Sequence, residues 1–292
     1  MKKLLIFDTN AIMHLVFHGY KKSPSYNAQG FPTYMLRGFI HYTNTAIATH
    51  NPDYTVFVFD PDGKTFRHDI YPEYKATRPP KDPEFKSQEL FIKEYLKLLG
   101  YPVYTISGFE GDDVVATIAT RASKHTIFED IIIYTGDKDI YQILDDKISI
   151  FNLKTKSLVT PHNILDSFPV RHTSVVDYLT LLGDSVDNVK GVNQCGEKTA
   201  LKLIERFDSI DNIYNSLNNI NFKDLNISAK IGNAIVKDFE DNYERIMLSK
   251  HLITLRCDID FPLSTKSLLR IDCDMDNMNK FLLSQSLNIR IN

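Results

Sequence analysis

Nine carboxylates stand where a single metal-binding rim could collect them. Three apolar runs each end on an aspartate: Leu4-Leu5-Ile6-Phe7-Asp8, Val56-Phe57-Val58-Phe59-Asp60 and Ile131-Ile132-Ile133-Tyr134-Thr135-Gly136-Asp137. Runs of this kind suit strands buried on both faces of a parallel sheet. In an open α/β sheet, ligands bind beyond the carboxyl ends of the strands. Further acids join them: Glu110-Gly111-Asp112-Asp113 opens a helix, Asp137-Lys138-Asp139 closes the third run, and Gly183-Asp184-Ser185-Val186-Asp187-Asn188 follows a helix. Each motif alone has a plain explanation as a cap, tight turn or loop. Together Asp8, Asp60, Glu110, Asp112, Asp113, Asp137, Asp139, Asp184 and Asp187 would repel one another, so the arrangement asks for cations. Oxygen donors with no Cys or His nearby suit Mg²⁺ or Mn²⁺ rather than Zn²⁺. Many carboxylates and few substrate pockets is the pattern of phosphodiester hydrolysis with two metals ~4 Å apart.

Two basic segments could present a phosphate to that rim. In Phe66-Arg67-His68-Asp69-Ile70-Tyr71-Pro72-Glu73-Tyr74-Lys75-Ala76-Thr77-Arg78, residues Arg67, Tyr71, Tyr74, Lys75 and Arg78 would share one helical face, although Pro72 limits the helix. Basic groups interleaved with tyrosines suit phosphates and stacked bases. Lys75 and Arg78 are candidates to neutralise charge on a scissile phosphate; the plain alternative is a solvated loop. The second segment, Asp187 to Ala200, joins two helices through a glycine-containing turn. Its helix N-terminus is a natural phosphate site, with Lys198 and Lys202 following. A simple helix-turn-helix core joint is the alternative.

These groups need a scaffold. Strand-like and helix-like segments alternate through the first half, which predicts βαβ units and a mainly parallel sheet flanked by helices. Residues 33–49 have roughly helical spacing, 87–99 form an amphipathic helix closed by Gly100, Pro102 to Ile106 is a short strand, and a helix follows over about 111–123. Residues 148–160 alternate as a hairpin. From Pro61 to Lys86, prolines 61, 72, 79, 80 and 83 deny a long element, so the chain makes an excursion above the sheet edge. Beyond about residue 165 the pattern is helices only: one around Val175–Leu182, one around Ala200–Phe207, an Asn-rich connector over 211–226, then helices near 229–250 and 276–285. The expected division is an α/β core over 1–165, including the excursion 61–86, and a helical region over 166–292.

Composition sets outer limits. With 292 residues, 43% hydrophobic and 24% charged, the chain can bury a full core as an ordinary globular protein. The net charge of −3 argues weakly against a nucleic-acid partner. With nine of the 37 acids gathered at one place, 28 remain against 34 Lys and Arg, so the rest of the surface is basic enough to attract a polyanion. Three cysteines without a C-x-x-C pair read as reduced apolar fillers. Asp8 cuts short the signal-like start, and no apolar stretch reaches ~18 residues, so a cytoplasmic protein with no membrane partner is expected.

The stretches Phe59-Asp60, Phe66-Arg67-His68 with Tyr74-Lys75-Ala76-Thr77-Arg78, Gly108-Phe109-Glu110-Gly111-Asp112-Asp113, Thr135-Gly136-Asp137-Lys138-Asp139-Ile140-Tyr141-Gln142, Gly183 to Asn188 and Gly196-Glu197-Lys198-Thr199-Ala200 carry a resemblance. In this order they resemble the structure-specific 5′ nucleases: the 5′–3′ exonuclease domain of bacterial DNA polymerase I and the phage flap endonucleases. The resemblance implies a PIN-like core, a helical arch and a C-terminal helix-turn-helix DNA-binding region. It implies that the nine carboxylates bind two Mg²⁺ ions, with Mn²⁺ able to substitute. Lys75 and Arg78 would grip the scissile phosphate at the arch base, Arg67 would contact DNA, and Tyr74 would stack on a base. Lys190, Gly191, Gly196, Lys198 and Lys202 would hold the downstream duplex, with a K⁺ ion at the turn. The substrates would be 5′ flaps and 5′ ends of branched, nicked or gapped DNA and RNA–DNA primers, and the enzyme a monomer working with a separate DNA polymerase.

Two residues depart from the family pattern: Gln194 stands where a glycine is usual, and Lys190 where a proline is usual. The Cβ of Gln194 resists the positive φ that glycine accepts, which puts the K⁺ site in question. Two other readings compete with the nuclease: a junction-binding module with weak catalysis, and a single-strand ribonuclease on a PIN-like fold. The complete acidic set weighs against the first, and the arch with the duplex-holding turn against the second.

Overall fold

The protein is seen in a computed structural model that describes residues 2–287; Met1 and the last five residues of the region expected at 166–292 lie outside them. Strands β1 (Lys2–Asp8), β2 (Tyr54–Val58), β3 (Val103–Tyr104), β4 (Phe128–Thr135), β5 (Ile148–Asn152) and β6 (Ser157–Val159) form one sheet in the order β3-β2-β1-β4-β5-β6. Every ladder is parallel except β5–β6, the expected hairpin. The three aspartate-tipped runs are therefore adjacent, with β1 between β2 and β4. Alternate side chains of β1 enter opposite cores: Leu4 and Ile6 one, Leu5 and Phe7 the other, all fully buried. Burial on both faces explains the unbroken apolar runs.

Helices α1 (Thr9–Tyr20) and α2 (Tyr34–His50) cover one face; after the short α3 (Phe66–Ile70), α4 (Pro83–Leu98) joins them. The pattern reading contains no helix at Thr9–Tyr20. One forms because Asp8 caps it, accepting from the Ala11 N–H, and because Ile12, Met13, Val16 and Phe17 make a buried stripe. Helix α4 starts four residues earlier than expected: the Asp82 side chain caps it and Pro83 takes the first-turn position that proline tolerates. Gly100 ends it at φ 74°, as expected of a C′ glycine.

Helix α5 (Gly111–Lys124) covers the other face, together with the helical region. That region comprises α6 (Val175–Leu182), a hairpin of β7 (Gly183–Asp184) and β8 (Val189–Lys190), α7 (Glu197–Phe207), α8 (Ile210–Ser216), α9 (Ala229–Ile253) and α10 (Met275–Ser284). The hairpin interrupts a stretch expected to be helical only. It needs its glycines: a Cβ on Gly183, which sits at φ 72°, would stand 2.2 Å from the Gly191 nitrogen, and one on Gly191 would stand 2.3 Å from the Leu182 carbonyl. Helix α8 forms inside the Asn-rich connector because the Ser209 side chain caps it and Ile210 and Ile213 are buried. Helix α10 returns to the α/β core, where Met278, Phe281 and Leu282 join the apolar cluster of α4.

Candidate active site

The carboxyl edge of the sheet gathers most of the expected acids, and the local sequence explains each placement. Asp8 ends β1 and starts α1, and its second oxygen accepts from Thr135 Oγ1 at 2.7 Å. Asp60, two residues past β2, accepts from Asn10 Nδ2 at 2.7 Å and from the Gly111 N–H at 2.7 Å. A Cβ on Gly111 would stand 2.9 Å from that Asp60 oxygen, so glycine opens α5 there. Asp137 follows β4; its N–H donates to Thr135 Oγ1, and its carboxylate accepts from the Asp139 N–H at 2.9 Å. Asp184, in the β7–β8 hairpin, accepts from the Val186 and Asp187 N–H groups. Asn10 and Thr135, which orient these acids, escaped the sequence reading. Their only signal is position: Asn10 is two residues after Asp8, and Thr135 two before Asp137.

Among the described residues, Asp8, Asp60, Asp112, Asp137, Asp139 and Asp184 make no ion pair. The electrostatic consequence is large. Burial, with the charges of Asp60 and Asp137 adding, pushes the Asp8 carboxyl up to about 7 despite the hydrogen bonds it accepts. Asp112 is held well above the usual carboxylate range by burial, then by Asp137, Asp8, Asp60 and Glu110. Asp139 is also raised well above it, by burial and then Asp137, with Asp184 and Asp187 adding and Lys138 opposing. By the charges that act on one another, the acids fall into two sets sharing Asp137: Asp8, Asp60, Glu110 and Asp112, and Asp139, Asp184 and Asp187, with Tyr74 and Lys75 bridging Glu110 and Asp187.

Basic residues of the excursion reach into this rim. Lys75 Nζ bonds Glu110 and lies 3.7 Å from Asp187, while Arg78 bonds the other Asp187 oxygen. Burial acts to lower the Lys75 ammonium, but Glu110 and Asp187 outweigh it and hold its pKa above the ordinary value. Lys75 sits at φ 56°, a left-handed conformation that costs a non-glycine residue about 1–2 kcal/mol. Its N–H is held on the Asp187 carbonyl at 3.0 Å. Among the described residues, no three His, Cys, Asp or Glu side chains already converge on one metal position; Glu110 and Asp187 turn to Lys75 and Arg78 instead. The donor chemistry nonetheless fits hard divalent ions: all oxygens, crowded, largely half-buried and under-neutralised by the protein itself.

Three expected site residues take other places. Asp113 is completely buried and points away from the rim. Its carboxylate is taken bidentately by Arg67, at 2.5 and 2.8 Å, and also accepts from the Glu110 and Arg256 N–H groups, so it is not free to bind metal. Arg67 is 1% exposed and also bonds Glu110 and the carbonyls of Leu252 and Thr254, so it cannot meet DNA. Tyr74 is 4% exposed, its hydroxyl lying 2.9 Å from both Glu110 and Asp187; burial and those two acids raise its pKa, so it keeps its proton and presents no ring for stacking. The helical face drawn through Arg78 also stops early. Tyr71 is extended ahead of Pro72, which excludes the helical conformation from its predecessor, so the arch segment is one short helix followed by turns.

At the turn before α7, Lys190, Gly196 and Lys198 are exposed and the helix N-terminus has no side-chain cap. Lys202 donates to the Asn226 carbonyl at 2.9 Å, and Gly191 serves the close backbone packing described above. Gln194 adopts φ 58° despite its Cβ, so the left-handed turn expected to resist it forms all the same.

Comparison with known proteins places this arrangement in a family. The model of the 5′–3′ exonuclease N-terminal resolvase-like domain matches residues 3–169, and that of the 5′–3′ exonuclease C-terminal SAM fold matches residues 170–276. A 5′–3′ exonuclease of Aquifex aeolicus is 32% identical over 268 residues, covering 92% of this chain and 86% of its own. DNA polymerase I of Caldicellulosiruptor bescii is 32% identical over 270 residues, covering 90% of this chain but only 30% of the polymerase. A structure of T5 5′-exonuclease with divalent metal ions (zinc) bound shares the fold at a TM-score of 0.70 and 20% identity, covering 96% of this chain and 97% of that one. The fold and site are those of an α/β nuclease. The chain belongs to the 5′–3′ exonuclease family.

Proposed function

We propose that the chain is a Mg²⁺-dependent 5′ nuclease that hydrolyses phosphodiester bonds at 5′ ends and flaps of branched, nicked or gapped DNA and at RNA primers. The observation that carries this reading is the pair of largely half-buried carboxylate groups sharing Asp137, most of whose members make no ion pair among the described residues, with Lys75 on Glu110 and near Asp187 and Arg78 on Asp187. Two divalent ions, when bound, would supply an activated water and neutralise the leaving oxygen. Asp8, Asp60, Glu110 and Asp112 would hold one, and Asp139, Asp184 and Asp187 the other, with Asp137 between them. Lys75 and Arg78, released from Glu110 and Asp187, would meet the scissile phosphate and stabilise its developing charge. Asn10 and Thr135 keep Asp60 and Asp8 aimed at the site. The open N-terminus of α7, with Lys190 and Lys198, would take duplex phosphates. Gln194 at positive φ supports retention of the turn's K⁺ site. We further propose that the enzyme acts as a monomer in the cytoplasm, with a separate polymerase extending the trimmed strand.

The test is a 5′-labelled flap incubated with Mg²⁺ or with EDTA. Wild type is expected to cut only with Mg²⁺, and Asp137→Asn to lose activity by more than ~100-fold. Binding of the flap without Mg²⁺-dependent cutting would instead show a junction-binding module. Equal cutting of plain single-stranded RNA would show a ribonuclease.

A further inference from the structure

The two carboxylate groups sit on separate elements, and one segment at the end of α9 is fastened to both. Residues 252–256, the last two of α9 and the three that follow it, run between α5 and the 3-10 turn Asp139–Ile143. On the α5 side, Arg67 donates from Nε to the Leu252 carbonyl at 2.7 Å and from Nη2 to the Thr254 carbonyl at 3.2 Å, while gripping Asp113 with both Nη atoms. The Arg256 N–H donates to Asp113 Oδ1 at 2.9 Å, and Thr117 Oγ1 donates to the Arg256 carbonyl at 3.1 Å. On the other side a single residue makes the attachment. Gln142 Oε1 accepts from the Leu255 N–H at 2.9 Å, and its Nε2 donates to the Ile253 carbonyl at 3.2 Å and to the Asp139 carbonyl at 2.8 Å. Glu110 and Asp112 lie beside the first clasp, and Asp139 forms part of the second.

We infer that residues 252–256 are a brace that sets the separation of the two metal positions, with Gln142 and Arg67 as its positioning residues. Neither touches substrate; Gln142 acts through the backbone it holds, and Arg67 through that backbone and its bonds to the Asp113 and Glu110 carboxylates. Like-charged groups facing each other across a rim push their carriers apart, and a brace anchored by amide and guanidinium groups resists this without adding a ligand. The brace also ties the end of the long helix α9 to the rim, so the helical region and the metal site move as one. The inference rests on the proposed metal site.

The test measures metal binding without DNA, by titrating Ca²⁺ into the full chain in a calorimeter. Gln142→Leu is expected to weaken Ca²⁺ binding about tenfold and to raise the Mg²⁺ concentration for half-maximal cutting by a similar factor. Its KM for flap DNA should stay unchanged while kcat at limiting Mg²⁺ falls. Gln88→Leu is the control: Gln88 is fully buried in the opposite core and accepts from the Met35 N–H at 2.7 Å, so its loss should lower Tm without moving Ca²⁺ affinity. Should Gln142→Leu fail to fold, Gln142→Glu keeps the acceptor for Leu255, loses the two donors, and is expected to show the same metal shift. Arg67→Lys, which keeps the charge beside Asp113 but not the fork to both carbonyls, should shift affinity in the same direction. Wild-type Ca²⁺ affinity in a folded Gln142 variant would overturn the brace alone. A wild-type protein that binds no Ca²⁺ would overturn the metal site and the brace with it.

Discussion

Asp112 and Asp113 are consecutive residues of one helical turn with opposite fates. Asp112 belongs to the open rim, where it makes no ion pair among the described residues and burial and its acidic neighbours drive it toward the protonated form. Asp113 belongs to a closed clasp, where the Arg67 guanidinium, two backbone N–H groups and two carbonyls use every available bond. The 100° step between neighbours on a helix turns one toward the sheet edge and the other toward the end of α9. The lesson is that a buried charge has a structural role where its bonds are complete, and a binding role where they are left open.

The contrast can be broken most sharply at Asp112. Asp112→Asn should reduce Mg²⁺-dependent cutting by more than ~100-fold while leaving metal-free stability unchanged or improved, since it removes a repelled charge. Cutting assays beside thermal unfolding in EDTA would check this; a large drop in Tm would erase the distinction.

Asp113→Ala should do the reverse first. It strands Arg67 in the core and should cost about 3–5 kcal/mol of stability, read from urea unfolding. A loss of metal affinity with unchanged stability would instead return Asp113 to the rim.

The pH dependence separates the regions by sign. The Asp8 carboxyl titrates near 7 when folded, against an ordinary value of 3.8. The folded state therefore holds that proton more tightly than the unfolded chain. The stability gained is complete below the ordinary value and is lost as pH rises through about 7. Metal-free protein should accordingly melt several degrees lower at pH 8 than at pH 5.5, and saturating Mg²⁺ should remove the difference. Calorimetry across that range, with and without metal, checks it; a metal-free Tm that rises with pH would contradict the crowded rim.

The smallest effect is expected at Tyr74, which stands between the two regions. Tyr74→Phe removes one hydroxyl from Glu110 and Asp187 and should cost about 0.5–1.5 kcal/mol. Flap affinity in Ca²⁺ should not change, because the buried ring stacks on no base. A loss of flap binding in Tyr74→Leu that Tyr74→Phe does not show, at equal stability, would restore the stacking role.

The sequence by itself determined the sheet and its acidic edge. Runs such as Leu4 to Phe7 suit a strand covered on both faces, and parallel connection brings their terminal aspartates to one side. It could not separate Asp113 from Asp112 or Arg67 from Lys75, because neighbouring residues of like charge differ only in what faces them. Those partners lie 46 residues away for Arg67 and Asp113, and more than a hundred for the carbonyls and N–H of Leu252 to Arg256, and they meet only in the folded chain. Gln142 shows no role in the sequence for the same reason, since an amide's function lies in which carbonyl and which N–H stand opposite it. Tertiary structure decided which charges were satisfied, and so which of the carboxylates remained free to bind metal.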